Sequence, residues 1–142
     1  MNTIPTPVIV TKRVDDIPLL LNHMIKMGIH DTLDGHFQTH DNWCGLSLGW
    51  TTLIWLTHIL SEADHRLNRV QDWVDKHVKT ISFVSGLSIN PLNFTDDRLS
   101  SILRYLSQDE SWQECERAQG KHIIRVYHLP TDIVRARFYN CF

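Results

Sequence analysis

Three stretches of this chain carry residue types whose spacing could do chemistry. The first is Gly45-Leu46-Ser47-Leu48-Gly49, which fits the G-x-S-x-G pattern of a serine nucleophile. That pattern works where a strand runs in and a helix runs out, so that a sharp turn forces the hydroxyl outward. The residues running in, Asp41-Asn42-Trp43-Cys44, lack the apolar, β-branched character of a buried strand. Ser47 is therefore expected to cap a helix, its oxygen accepting a backbone N–H of the first turn. A serine hydrolase acting through Ser47 stands as the alternative.

The second stretch places His36, His40 and Cys44 four residues apart, with His30, Asp31, Asp34 and Asp41 close by. On one continuous helix this spacing would put three donors on a single face, as zinc requires. Gly35 and the polar surroundings argue against a continuous helix there, and structural zinc sites draw four ligands from tighter Cys/His pairs. The expectation is a polar connection that holds no metal. The third stretch is His65, Arg66, Arg69, Lys76, His77 and Lys79, basic side chains on the outer face of a helix that could meet phosphates. Asp64, Asp72 and Asp75 interrupt it and offer i,i+4 partners instead. The neighbouring acids Asp15/Asp16 and Asp96/Asp97 do not face one another on a helix, and both pairs fall at helix starts, where carboxylates suit the dipole.

The elements that must position these residues follow from periodicity. Pro5 and Pro7 predict an extended start, and Val8-Ile9-Val10 a short strand. A first helix begins near Asp15 or Asp16 with Pro18 in its first turn, buries Leu20, Leu21, Met24 and Ile25, and stops at Gly28. A polar, His-rich connection is expected over 30–43. Ser47 then opens a helix carrying Trp50, Leu53, Ile54 and Leu60, and 61–64 breaks it. Leu67, Val70, Val74 and Val78 make one face of the next helix, with Arg66, Arg69, Asp72, Lys76 and Lys79 opposite. Gly86, Asn90 and Pro91 mark a loop. Thr95 caps a helix with Leu99, Ile102, Leu103 and Leu106 inside. A last helix spans 111–127 on Trp112, Cys115, Ala118, His122, Ile123 and Val126, passes through Gly120, and is ended by Pro130. The tail from Ile133 to Phe142 is rich in β-formers and makes at most one strand. The fold class is mainly α: an irregular bundle of five to six helices, with at most one or two short terminal strands.

Composition sets the outer bounds. The 142 residues fit one domain, and 42% hydrophobic with 21% charged is an ordinary globular mix. The net charge of -2 signals neither nucleic acid nor membrane. Residues 117–142, however, hold Arg117, Lys121, Arg125, Arg135 and Arg137 against Asp132 alone, a modest pointer to a polyanion. The three cysteines are far apart and form no CxxC, so a reducing, cytoplasmic setting is expected. The most apolar window, 46–60, is too short and too rich in Thr and His to span a bilayer.

The order of features carries more than any single cluster. Asn93-Phe94-Thr95-Asp96-Asp97-Arg98-Leu99, followed by an amphipathic helix, resembles a stretch in the N-terminal region of DDE insertion-sequence transposases. The resemblance continues through Tyr127-His128-Leu129-Pro130-Thr131-Asp132-Ile133-Val134-Arg135, takes in the 14–28 and 47–60 helices, and spans roughly residues 8 to 135.

The resemblance implies a helical N-terminal domain over 1–130, a first strand of a ribonuclease-H-like core over 131–142, and Mg²⁺ used by carboxylates of that core. Arg137 stands about where the first metal-binding Asp is expected, and the Thr/Ser run that follows in the family is absent. An Arg cannot hold Mg²⁺ in place of an acid. The expectation is thus a transposase front cut off or shifted out of frame before its catalytic core, with no catalytic residue and no cofactor of its own. Its implied role is DNA-end binding or assembly, with Arg66, Arg69, Lys76, Lys79, Lys121, Arg125 and Arg135 as candidate DNA contacts and element ends as the partner. The alternative is a helical interaction module that self-associates or docks onto a full-length transposase.

Overall fold

The computed structural model describes residues 14–132. Among them the chain forms six α-helices, a 3-10 turn and no strand: α1 (Ile17–Lys26), α2 (Ile29–His36), α3 (Leu48–Glu62), α4 (Leu67–Ser85), the 3-10 turn Pro91–Phe94, α5 (Asp96–Leu106) and α6 (Asp109–Val126). This is the irregular helical bundle expected. The strands anticipated at Val8-Ile9-Val10 and over 133–142, and with them Arg135, lie outside the described residues.

The middle of the bundle is α3. Leu48, Leu53, Ile54, Trp55 and His58 are buried on different sides of it, so it meets neighbours nearly all round. Two of its buried hydroxyls are satisfied within the helix: Thr51 Oγ1 donates to the Ser47 carbonyl at 2.8 Å and Thr57 Oγ1 to the Leu53 carbonyl at 3.0 Å. α2 crosses α3 closely, and a Cβ on Gly49 would run into the His30 carbonyl. α1 lies across α3 and α4, with Ile17, Leu21 and Met24 buried. α4 buries Val70, Trp73, Val74 and Ile81 and receives α1, α3, α5 and the 3-10 turn, whose Phe94 is fully buried. α6 leans chiefly on α2.

Several expectations shift in detail. The polar 30–43 stretch starts as helix α2, because Ile29, Leu33 and Phe37 fall at i/i+4/i+8 and supply a short apolar stripe. Gly28 is the left-handed residue (φ 67) that ends α1, and it also precedes α2. Asp16 precedes α1 without a capping bond; its carboxylate accepts from Ser61 Oγ at 2.6 Å instead. Thr95 holds the cap position of α5 but makes no capping bond. α6 ends before Pro130: His128 turns left-handed (φ 50) and the Leu129 N–H reaches back to the Ile124 carbonyl at 3.0 Å. Leu60, counted in the apolar stripe of α3, is exposed.

Candidate functional site

The serine of the G-x-S-x-G stretch is a helix cap. Ser47 Oγ accepts from the Trp50 N–H at 3.3 Å and donates to Asp34 Oδ2 at 2.6 Å. The other oxygen of Asp34 accepts the Gly49 N–H, also at 2.6 Å. A carboxylate thirteen residues upstream thus occupies the start of α3, where its charge suits the dipole and the free N–H groups need acceptors. The chain enters this turn as an irregular loop, and no histidine hydrogen-bonds Ser47 among the described residues. The context that makes such a serine a nucleophile is not built here.

The His36/His40/Cys44 series does not share a helix face, because α2 ends at His36 and Phe37 is extended. His36 Nδ1 lies 2.7 Å from the Thr32 carbonyl, the His40 N–H donates to Tyr105 Oη at 3.2 Å, and Cys44 is exposed. Among the described residues no group of three or more His, Cys, Asp or Glu is placed to hold a metal ion. The loop is tied down by Arg98 instead. Its Nη2 donates to the Cys44 and Leu46 carbonyls at 2.7 and 2.8 Å, and its guanidinium lies 4.2 Å over the Trp43 ring. Desolvation lowers the pKa of Arg98, which stays a cation. The string that carries the family resemblance therefore has structural work: Phe94 and Leu99 are core residues and Arg98 clamps the loop that leads into α3.

The basic residues fall into two unlike groups. On the α4 side, Arg66 is engaged by Asp64 through Nε (2.9 Å) and Nη2 (2.8 Å), and these bonds hold the Asp64 carboxyl well below the usual carboxylate range. Arg69, Lys76 and Lys79 are exposed, but the exposed Asp72 and Asp75 stand among them. Beneath lies His58, buried edge-on against Trp73 with ring centroids 5.2 Å apart; Trp73 Nε1 donates to Glu62 at 3.2 Å. Burial pushes the His58 pKa below its usual value, against the pull of Asp64 and Glu62.

α6 is different. Its acids, Asp109, Glu110, Glu114 and Glu116, precede its bases, Arg117, Lys121 and Arg125, the order that the helix dipole favours. Arg117, Lys121 and Arg125 recur every four residues, all are exposed, and none makes an ion pair among the described residues. The structure thus separates the candidate contacts: Lys121 and Arg125 share a row with Arg117, while Arg66, Arg69, Lys76 and Lys79 share an alternating surface.

One feature was not foreseen from the sequence. Between α6 and the faces of α3 and α5, with α2 as its floor, lies a cleft of about 680 Å³. Leu33, Trp55, Leu106, Trp112, Cys115 and Ile123 line it, together with Thr52. Thr52 Oγ1 and Trp55 Nε1 are buried and have no hydrogen-bond partner among the described residues. Burial raises the pKa of the Cys115 thiol, with Glu116 adding to the shift. Gly120 also lines the cleft, and a Cβ there would meet nothing within 4 Å. The signal in the sequence was this small residue on the inner side of an otherwise apolar stripe.

No family model, curated protein or solved structure matches the chain. Among the described residues no helix is long and apolar enough to cross a membrane.

Proposed function

We propose that this chain is the helical, DNA-engaging part of a DDE-type insertion-sequence transposase, that it acts in the cytoplasm, and that it does no phosphoryl transfer by itself. The observation that carries the DNA reading is the row Arg117, Lys121 and Arg125 on the exposed side of α6, free of carboxylate partners among the described residues. Three unneutralised cations on one face release counterions when they meet phosphates, which drives binding without reading bases. The resemblance of the 93–99 and 127–135 stretches supports the transposase assignment.

The test is fluorescence anisotropy of the full chain with a duplex carrying the element's terminal inverted repeats, titrated across salt. Three phosphate contacts give a log–log slope of about -2.7. Replacing Arg117, Lys121 and Arg125 by Ala removes that slope, whereas replacing Arg69 and Lys79 leaves it. Absence of binding at low salt would overturn the reading.

The cleft favours a second reading, a module for protein interaction in which an apolar segment of a partner fills the space beside Trp55 and Trp112. Light scattering with and without full-length transposase separates the two. A monomer that ignores the transposase leaves only the DNA reading.

A further inference from the structure

We infer that the cleft behind α6 is a binding site for a small apolar amine, its hydrocarbon or aromatic body lying beside Trp55 and Trp112 and its ammonium group paired with Glu116. The site is independent of the DNA reading, since none of Arg117, Lys121 and Arg125 lines the cleft. Its volume of about 680 Å³ falls within the range of pockets that enclose most of a small molecule.

The lining leaves an occupant almost nothing polar to meet. Trp112 Nε1 donates to the Leu106 carbonyl, and Gln119 Nε2 donates to the Met27 carbonyl at 2.7 Å. Thr52 Oγ1 and Trp55 Nε1 are buried within the wall. Burial raises the pKa of the Cys115 thiol, with Glu116 adding to the shift, so this group is neutral. What remains is aliphatic and indole surface with one carboxylate, and no Lys, Arg or His lines the space. A fatty acid, a phosphate ester or a nucleotide would bring negative charge to a cleft that has an anion and no cation. A sugar would leave hydroxyls without partners.

Glu116 is placed to choose the charge. It is exposed at the edge of the cleft and makes no ion pair among the described residues. Its neighbours one turn away on α6 are Trp112, Gln113, Gln119 and Gly120, none of them charged. Its carboxylate is thus left for a cation from outside the helix. Trp112 precedes it by one turn, and an indole face attracts an ammonium group. Gly120 follows it by one turn, and a Cβ there would meet nothing within 4 Å, so the approach beside Glu116 is open. A protein segment is the rival occupant. It would bring a line of polar groups to the rim, where the lining offers Glu116 alone.

The experiment is calorimetric titration of the full chain at neutral pH with three probes of equal chain length, decylamine, 1-decanol and decanoate, each kept below micelle formation. Decylamine is expected to bind about fivefold more tightly than 1-decanol, the share of a partly exposed ion pair, and decanoate to bind most weakly. Glu116→Gln brings decylamine to the level of 1-decanol and leaves 1-decanol unchanged, a result that mere loss of fold would not produce. Gly120→Leu favours the helix but narrows the entrance, and weakens all three. Glu110→Gln, on the same helix but outside the lining, changes none. Decanoate binding as tightly as decylamine, or an amine preference that survives Glu116→Gln, would overturn the proposal. If no probe binds, the proposal also fails and the cleft is left to a partner's apolar segment. The DNA reading is untouched by either result, because it rests on the salt slope.

Discussion

α4 and α6 are nearly the same length, nineteen and eighteen residues, and both are amphipathic with basic outer sides, yet the fold uses them differently. α4 is held by α1, α3, α5 and the 3-10 turn, and four of its side chains are buried. α6 leans chiefly on α2, buries only Cys115, and leaves a cleft open behind it. Their charges differ in the same sense. The bases of α4 stand among Asp72 and Asp75, a pattern that solvates a surface locally. Those of α6 are segregated at one end, a pattern that leaves a net field for a partner. The comparison teaches that a basic helix face is a candidate interface when its cations are segregated from its acids along the helix, and that such faces can sit on the loosely held helix.

The contrast in packing can be broken most directly in the core. Ile81→Ala on α4 removes a fully buried side chain and is expected to cost about 2–5 kcal/mol in denaturant melts. Ile123→Ala on α6, half-buried against the open cleft, is expected to cost less than about 1 kcal/mol. Equal costs would show that α6 is as firmly packed as α4. A smaller effect sharpens the same point: Gly120→Ala meets open space and gains helix propensity, so stability should rise by about 0.5–1 kcal/mol. A loss would mean that something fills the cleft at Gly120.

The smallest expected effect concerns pH. The folded pKa of His58 is lowered by burial, so the unfolded chain binds the proton more readily. The stability tied to neutral His58 is therefore complete above its unfolded pKa of about 6.5 and is lost as pH falls through the folded value. Melting temperature should decline from pH 7.5 to 5.5, and His58→Gln should flatten that decline. An unchanged slope in the variant would place the pH sensitivity elsewhere than in the packing of α3 on α4.

Much of the fold was legible because helices announce themselves locally. The stripes of α1, α4 and α5, the left-handed Gly28 and Gly86, and the cap Ser47 all depend on residues a few positions apart. α2 was missed because its stripe is three residues long and the polar side chains around it dominate the composition. The cap of α3 was legible in Ser47 but not in Asp34, since nothing local tells which carboxylate will arrive from the preceding helix. Of the candidate site, Lys121 and Arg125 were visible as charges in a basic stretch. The cleft was not: a stripe of apolar residues shows that a helix packs, not how completely.

The Asp34 anchor also bears on the order in which the molecule assembles. It joins positions only thirteen and fifteen apart, whereas the bonds that tie α6 to α1 join positions 92 and 104 apart. By loop length alone, closing the longer span costs roughly 2 kcal/mol more of chain entropy. The α2–α3 hairpin is therefore the cheaper early step and the α1–α6 junction a late one. The cleft behind α6 and the exposed row of Arg117, Lys121 and Arg125 take their final place only as this last helix docks.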